Sequence, residues 1–364
     1  IRAVIPARVV VGVVIGGEST EHAVSVSSGR SVIREADSSR FKVIPFGVTQ
    51  NGAWLTPDET ARRLDDSSAI DLGTDSGNGL LAHPEVLQAL SDMDVIFPII
   101  HGNLGEDGTL QGLFELAKIP YVGSGVSASA AGMDKALMRA VFAAAEIPQP
   151  PYLVLSGIEL ATPSSDTMNY VETLLGYPCF VKPCNGGSSV GVSKVLSQAD
   201  LGDALSTAAH HDRKVMIEQA MNGHEVECAV LGNDEPTASG VAEIHSQSDF
   251  YTYEAKYQDD ATQTIVPAEI PDAIAEHVRQ LSLRAYRAID AAGMARVDFF
   301  ARDDGLVQII EINTLPGFTP ISQFPRLWQE AGISYPELIS HLVDLAFERH
   351  ANQNKQKLER RAPR

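Results

Sequence analysis

Two carboxylates and an amide occupy neighbouring positions in a stretch that is predicted to form a β-hairpin. The runs RVDFF and LVQIIEIN alternate apolar and polar residues, and the DDG between them is typical of a turn. Side chains two residues apart on a strand share a face, which places Arg296 beside Asp298 and Glu311 beside Asn313. If the two faces coincide, three oxygen ligands and a cation converge, an arrangement that suits Mg²⁺ held jointly by protein and phosphate oxygens. The alternative is a solvated hairpin face, which the apolar character of IIEIN disfavours.

Two further loops follow predicted buried strands and place ionisable side chains where those strands end. In GGESTEHAVS the glycines permit close backbone approach, Ser25 is predicted to begin a helix, and Glu21 is placed to hold a substrate ammonium. In HGNLGEDGTLQG, His101 lies between a buried strand and a helix. On these residues alone, a surface or capping role for Glu21 and a structural role for His101 remain open.

The loop VKPCNGGSSVGVSKV has the composition of an anion site. Lys182 ends a strand, and the Gly-Gly-Ser-Ser segment supplies backbone N–H groups and hydroxyl donors, among them Ser188. The loop is not a P-loop, because Val192 stands where that motif requires a lysine. The alternative is a flexible hairpin loop, which the preceding lysine and Lys135 elsewhere in the chain disfavour.

The connection FYTYEAKYQDDATQ carries Lys256 and Tyr257. Its polar and aromatic composition is typical of a lid over a site, and equally of an exposed loop.

The segment GSGVSA, residues 123–128, matches the G-x-G-x-x-A pattern of dinucleotide-binding folds. Glu146 lies about 20 residues further on, as that pattern requires, but it precedes IPQPP and does not end a second strand. An Ala-rich helix explains the small residues equally well. A nicotinamide dehydrogenase therefore has little support.

The elements that must position these loops change character along the chain. The first third alternates strands (ARVVVGVVIGG, FKVIPFGVT, MDVIFPII, IPYVG) with helices, which predicts a doubly wound parallel sheet with its sites at the strand ends. An Ala-rich helix from about Ala128 to Pro148 precedes a mixed region with strands at PCFVKP, VSKV and KVMIEQA. The predicted fold class is α/β and α+β, with domains at 1–128, 129–221 and 222–349 and a polar, basic tail at 350–364.

Composition narrows the class of protein. The 364 residues allow two or three domains, and 44% hydrophobic with 21% charged residues is ordinary for a globular protein. A net charge of −19 disfavours a broad nucleic-acid surface. Three cysteines form neither a disulfide framework nor a CxxC pair, and no apolar run approaches the roughly 18 residues of a membrane helix. We expect a cytoplasmic protein without nucleic-acid or membrane partners.

Taken in order, seven segments resemble the D-alanine:D-alanine ligase family of the ATP-grasp superfamily. They are GGESTEHAVS, HGNLGEDGT, MDK (133–135), VKPCNGGSSVG, YEAKY, ARVDFF and EINTLPGFTPIS, and they span about residues 16–322. The resemblance implies a three-domain ATP-grasp architecture with ATP between the central and C-terminal domains. It also implies ATP-dependent joining of two D-alanines for peptidoglycan precursors, in a protein that is commonly a homodimer.

The resemblance further implies a role for each matching residue. For ATP, Lys135, Lys182 and the loop with Ser188 would bind the phosphates. Glu218 and the backbone near Met221 would contact the adenine, and Glu225 would contact the ribose. Two Mg²⁺ (or Mn²⁺) ions would be held by Asp298, Glu311 and Asn313. For the first D-alanine, Glu21 would bind the ammonium and His101 would lie near the carboxylate, while Ser322 would bind the carboxylate of the second D-alanine. Arg296 and the Gly317 N–H would stabilise the tetrahedral oxyanion. Tyr257 would close the lid, and Lys256 would reach the transferred phosphate.

Two departures from the family pattern lie in the nucleotide region. Gln219 stands where a lysine is often found, and PCNGGSS lacks the charged residues that some members carry before the glycine. We expect the nucleotide to be contacted at both places largely by the backbone. Tyr257 within YEAKY favours the amine-accepting, dipeptide-forming type over D-alanine:D-lactate ligases. A D-alanine:D-lactate or D-alanine:D-serine ligase of the same superfamily is the alternative. A nucleotide-binding module without catalysis is the alternative from another class, and the complete set of charged residues opposes it.

Overall fold

The computed structural model describes residues 8–66, 70–77, 79–245 and 263–361, with side chains to residue 355. Within these residues the strands form three sheets. The first has the order β3-β2-β1-β4, with β1 Val9–Gly16, β2 Phe41–Val48, β3 Trp54–Leu55 and β4 Val95–Pro98. The second has the order β5-β8-β6-β7, with β5 Tyr152–Ser156, β6 Cys179–Pro183, β7 Ser193–Val195 and β8 Lys214–Gln219. The third has the order β11-β10-β9-β12-β13, with β9 His224–Gly232, β10 Thr237–His245, β11 Gln263–Ile265, β12 Gly293–Ala301 and β13 Val307–Asn313.

The helices alternate with the first sheet and then flank the other two. They are α1 His22–Glu35, α2 Pro57–Leu64, a 3₁₀ turn Leu80–Ala82, α3 Pro84–Ser91, α4 Thr109–Ala117, α5 Val126–Met133, α6 Lys135–Ala144, α7 Gly157–Ala161, α8 Ser165–Tyr170 with a π-helical turn Val171–Leu175, α9 Gln198–Ala209, α10 Asp272–Ala288, α11 Gln323–Glu330 and α12 Tyr335–Arg361. Helix α12 runs through position 350 without a break, so the polar tail continues a helix. None of the helices in the described part of the chain is long and apolar enough to span a membrane.

The N-terminal sheet is parallel where the sequence predicts it. Strand β1 pairs in parallel with both β2 and β4, and its nearly continuous valines are buried because helices cover the sheet. The strand predicted at IPYVG is wrong: this segment makes only an isolated bridge between Ile96 and Tyr121. Gly123 follows with φ of +94°, which turns the chain away from the sheet.

The predicted single Ala-rich helix is also wrong, because the chain breaks at Asp134. This residue is extended, with ψ of 101°, and its carboxylate accepts hydrogen bonds from the backbone N–H groups of Ala136 at 3.1 Å and Leu137 at 3.2 Å. An acidic N-cap of this kind starts a new helix. Lys135 thereby becomes the first residue of α6.

The predicted hairpin is confirmed, and its two faces coincide. Arg296 on β12 lies opposite Asn313 on β13, and Asp298 lies opposite Glu311, with an irregularity in register directly after Asp298. The turn closes at Gly305, whose φ of +90° suits glycine.

The third sheet and its helices share a core with the N-terminal sheet. Phe318, in the loop after β13, packs edge-on against Phe97 of β4 with ring centroids 5.6 Å apart, and it also contacts Phe324 and Tyr335. This packing holds the loop after β13 against the ends of the N-terminal strands. The predicted α/β and α+β fold class is confirmed, whereas the residue bounds of the domains remain predictions.

Candidate active site

Two adjoining cavities are lined by all the predicted site residues that the structure describes. The larger cavity, about 540 Å³, lies between the second and third sheets and is lined by Lys182, Glu218, Met221, Glu225 and Asp298 among others. The smaller cavity, about 390 Å³, lies between the first and third sheets and is lined by Glu21, His101, Arg296, Asn313, Gly317 and Ser322 among others. Six residues line both cavities: Lys135, Gly186, Gly187, Ser188, Glu227 and Glu311. A group could therefore pass from a ligand in one cavity to a ligand in the other at this junction.

The hairpin of β12 and β13 carries several charged side chains at the junction of the two cavities. Arg296 donates two hydrogen bonds to Asp298, from Nε at 2.8 Å and from the terminal nitrogen at 2.7 Å, and its Nε lies 3.3 Å from Glu227 Oε1. Burial by itself lowers the pKa of Arg296, but the nearby carboxylates of Asp298, Glu227 and Glu311 outweigh burial and raise that pKa well above its ordinary value. Arg296 is thus a permanent cation at the wall of the smaller cavity.

The predicted metal ligands form an oxygen-only set that spans the junction. Asp298 lines the larger cavity, Asn313 lines the smaller, and Glu311 lines both. Asn313 Oδ1 also accepts a hydrogen bond from the Leu315 N–H at 3.0 Å, which fixes the amide. In the described residues, no three His, Cys, Asp or Glu side chains form a complete protein cage for a metal. Two carboxylates and an amide therefore fit Mg²⁺ only if ligand phosphates complete the coordination shell.

The Gly-Gly-Ser-Ser loop bends sharply across the junction. Ser188 and Ser189 adopt left-handed φ values of 50° and 59°, which is uncommon for residues other than glycine and points to a functional constraint. Lys135 Nζ donates to the Gly186 carbonyl at 2.8 Å and lies 3.6 Å from Glu311 Oε2. Ser188 Oγ donates to Glu21 Oε1 at 2.5 Å. The loop therefore contacts Lys135 at the start of α6 and Glu21 at the start of α1.

A buried charge cluster supports the far end of the larger cavity. The Glu218 carboxylate accepts hydrogen bonds from Lys182 Nζ at 2.6 Å and from the guanidinium of Arg139, which also donates to the Ile309 carbonyl at 2.6 Å. Arg139 is 1% exposed and Glu218 is 2% exposed. Burial raises the pKa of Glu218, but the two cations overcome burial and hold that pKa below its ordinary value. The cluster ties α6 to β8, β6 and β13.

The residues that follow β1 are arranged differently from the prediction. Helix α1 begins at His22, with Glu21 as its N-cap residue but without a capping hydrogen bond from the Glu21 side chain. Ser25 does not begin the helix: it is fully buried in the first turn, donates to the Ile99 carbonyl and accepts from the Gly16 N–H at 2.7 Å. Ser25 thus links the ends of two parallel strands, and Glu21 faces the smaller cavity.

His101 is buried behind the smaller cavity. Its Nδ1 donates to the Leu315 carbonyl at 3.1 Å and lies 3.4 Å from Glu106 Oε1, and its Nε2 lies 3.3 Å from Ser28 Oγ. Burial lowers the pKa of His101, but Glu106 and Glu21 together reverse this and raise it above the ordinary value. His101 is therefore easier to protonate than a free imidazole.

Gly317 and Ser322 lie together in the loop after β13, where both line the smaller cavity. Ser322 Oγ accepts from the Thr319 N–H at 3.0 Å and lies 2.7 Å from Thr319 Oγ1. A Cβ at position 317 would lie 2.9 Å from Ser322 Oγ, so a larger residue here would push that hydroxyl aside. Lys256 and Tyr257 lie outside the described residues.

Three residues in and around the site were not predicted from the sequence. Glu227 lies two positions after Glu225 on β9, so the period of a strand would have placed both on one face. Glu106 lies within the loop that contains His101, where its GED context gave no distinguishing signal. Arg139 lies four positions after Lys135 on α6, a spacing that favours the same helix face.

Comparison with known proteins shows the family. The D-ala D-ala ligase N-terminus model matches residues 10–124, and the D-ala D-ala ligase C-terminus model matches residues 141–344. The chain is 45% identical over 348 residues to the D-alanine--D-alanine ligase of Geobacillus kaustophilus, covering 93% of this chain and 95% of that protein.

Solved structures agree with the sequence relatives. The D-Ala:D-Ser ligase VanG from Enterococcus faecalis superposes with a TM-score of 0.77 at 31% identity, covering 93% of this chain and 99% of that one. The D-alanine--D-alanine ligase from Bacillus anthracis complexed with ATP superposes with a TM-score of 0.75 at 26% identity, covering 95% and 99%. The two cavities described above therefore lie in a chain that belongs to the D-alanine:D-alanine ligase family.

Proposed function

We propose that this protein joins two D-alanine molecules to D-alanyl-D-alanine at the expense of ATP. The observation that carries the proposal is the junction of the two cavities, where Lys135, Ser188 and Glu311 face both. ATP would occupy the larger cavity and the two amino acids the smaller one. The dipeptide would serve peptidoglycan precursor synthesis.

The first step would activate a carboxylate. A carboxylate oxygen of the first D-alanine attacks the γ-phosphorus of ATP, the bond from that phosphorus to the β–γ bridging oxygen breaks, and an acyl phosphate and ADP form. Phosphoryl transfer of this kind needs in-line positioning and charge neutralisation, and Lys135 and Lys182 would supply positive charge to the phosphates. Asp298, Glu311 and Asn313 would hold Mg²⁺, which neutralises and aligns the phosphates when bound.

The second step would form the C–N bond. The ammonium of the second D-alanine first loses a proton to solvent, and its nitrogen lone pair attacks the acyl carbon. The oxyanion then collapses, the bond from the acyl carbon to the phosphate oxygen breaks, phosphate leaves, and the nitrogen loses a second proton to phosphate or solvent. Arg296 and the Gly317 N–H would stabilise the oxyanion, Ser322 would bind the second carboxylate, and Glu21 would hold the first ammonium. Lys256 and Tyr257 stay proposed on the family resemblance alone.

Product identification tests the proposal. With ATP, Mg²⁺ and D-alanine, we expect D-alanyl-D-alanine and one ADP per dipeptide, measured by mass spectrometry and coupled ADP release. D-serine and D-lactate belong in competition with D-alanine, because one structural neighbour is a D-Ala:D-Ser ligase. Preferred incorporation of either competitor would overturn the substrate assignment. ATP binding without D-alanine-dependent phosphate release would instead indicate a nucleotide-binding module.

Replacing Gly187 with alanine is expected to raise the KM for D-alanine about tenfold, because a Cβ there would lie 2.8 Å from Glu21 Oε2 and would displace that carboxylate. A displaced charge-assisted contact is worth about 1.5–3 kcal/mol, which corresponds to tenfold or more. Steady-state kinetics at saturating ATP measures the effect. Gly186→Ala is the matched control, since a Cβ there meets no other atom nearer than 3.9 Å; an equal rise in that variant would contradict the role of Glu21.

We also propose a cytoplasmic homodimer. The small-molecule substrates and the reduced state of Cys179, Cys184 and Cys228 support the location. The family resemblance supports the oligomeric state. Sedimentation velocity would test it, and a monomer at micromolar concentration would contradict it.

A further inference from the structure

One buried carboxylate at the junction has no role in the proposed reaction. Glu227 lies on β9, opposite Asp298 on the neighbouring strand β12, and it is 4% exposed. It lines both cavities. A charged side chain this deeply buried is costly unless a partner or a function retains it.

One partner of Glu227 is also the partner of a proposed metal ligand. Arg296 donates to both oxygens of Asp298, at 2.8 and 2.7 Å, while its Nε lies 3.3 Å from Glu227 Oε1. Arg296 therefore lies between two carboxylates on adjacent strands. The bond pattern is unequal, with Asp298 accepting the two shorter contacts.

The bidentate contact between Arg296 and Asp298 competes with metal binding. A carboxylate that receives a guanidinium on both oxygens has used one lone pair of each oxygen, and the positive charge held there repels a second cation at the remaining positions. Coordination of Mg²⁺ by Asp298 is therefore favoured when Arg296 loosens at least one of those contacts. A buried guanidinium needs another acceptor when it does so, since an unpaired buried charge is strongly unfavourable.

We propose that Glu227 is the positioning residue that holds Arg296 when Asp298 turns to the metal. The inference rests on the proposed function. Glu227 would keep the guanidinium at the wall of the smaller cavity, ready for the oxyanion, and would draw its positive charge away from Asp298 and the cation. Without the Glu227 carboxylate, Arg296 would remain on Asp298 and weaken metal binding.

The test measures metal binding directly. Mn²⁺ is titrated into the protein in the presence of a non-hydrolysable β,γ-imido ATP analogue, and the free-ion signal in electron paramagnetic resonance reports the bound fraction. E227Q is expected to weaken Mn²⁺ about tenfold, at the lower end of the effect of removing an outer-sphere partner of a metal ligand. Unchanged Mn²⁺ affinity in E227Q would overturn the proposal.

Two further variants separate positioning from simple loss of charge. E227D keeps the negative charge but withdraws the acceptor from Arg296, so its Mn²⁺ affinity is expected to fall as well; wild-type affinity in E227D would show that charge alone matters and would overturn the proposal. In an Arg296→Met background, E227Q is expected to have no further effect, because the competing guanidinium is gone. A persisting tenfold loss there would also overturn it. If the Arg296→Met protein does not fold, the Mn²⁺ affinities of E227Q and E227D together decide whether Glu227 acts by position or by charge alone.

The outcome is independent of the substrate assignment. Failure of the wild-type protein to make the dipeptide would refute the proposed function. Dipeptide synthesis by the wild type together with unaltered Mn²⁺ binding in E227Q would refute only the role of Glu227.

Discussion

Replacing Arg296 with alanine is expected to lower kcat for dipeptide formation about 10²–10³-fold, the usual effect of removing one oxyanion donor. The reason is that Arg296 is a largely buried cation that lines the smaller cavity, as Gly317 does, and the tetrahedral oxyanion would form in that cavity. Rapid-quench measurement of ADP and of dipeptide would separate the two steps. We expect dipeptide formation to fall much further than phosphoryl transfer.

A control for this variant lies on the same hairpin. Arg302 also pairs with an aspartate two residues away, Asp304 at 2.5 Å, but its side chain is 51% exposed and lies at the turn. Arg302→Ala should leave both steps near wild type. Dipeptide formation within threefold of wild type in Arg296→Ala would contradict the assignment, provided circular dichroism shows that the variant is folded.

Replacing Glu218 with glutamine is expected to cost about 3–5 kcal/mol of unfolding free energy, because it leaves Arg139 and Lys182 without their shared counter-ion. Urea denaturation at neutral pH measures the loss. Because the pKa of Glu218 is lowered in the folded protein, its stabilisation is present above the unfolded value of about 4.3 and is lost as the pH falls through the folded pKa. The difference between wild type and variant should therefore shrink in acid.

The surrounding charges provide the controls for Glu218. Glu276→Gln removes an exposed ion pair with Arg279 on α10 and is expected to change stability by less than about 1 kcal/mol. A combined Glu218→Leu and Arg139→Met variant should recover part of the loss, because apolar pairs can replace buried ion pairs. A loss below about 1 kcal/mol in Glu218→Gln would contradict the buried cluster as a source of stability.

Local patterns predicted the hairpin correctly because its signals lie within about 20 residues. The alternation of β12 and β13 determines which side chains share a face, and the turn sets their register, so Arg296, Asp298, Glu311 and Asn313 converge as expected. The prediction of one helix over the Ala-rich segment was wrong because the contact that divides it is not local. Its composition favours helix throughout, but the Asp134 side chain caps a new helix, and its ion pair with Lys214 lies 80 residues away in sequence.

Ser25 shows the same limit in the first loop. A serine near a helix start is a common N-cap, yet this hydroxyl bonds the Gly16 N–H and the Ile99 carbonyl at the ends of two strands. The choice depends on where β4 lies, which no window of sequence around Ser25 contains.

The amino-acid sequence by itself determined the class of elements, the hairpin and the residue types that suit phosphate, metal and amino acid, because strand period, turn residues and side-chain chemistry are local properties. Only the tertiary structure decided that two cavities meet, that Ser188 reaches Glu21 across 167 positions, and that Glu227 shares Arg296 with Asp298. Those contacts join residues far apart in the chain, and they form only once packing of the three sheets has brought their edges together.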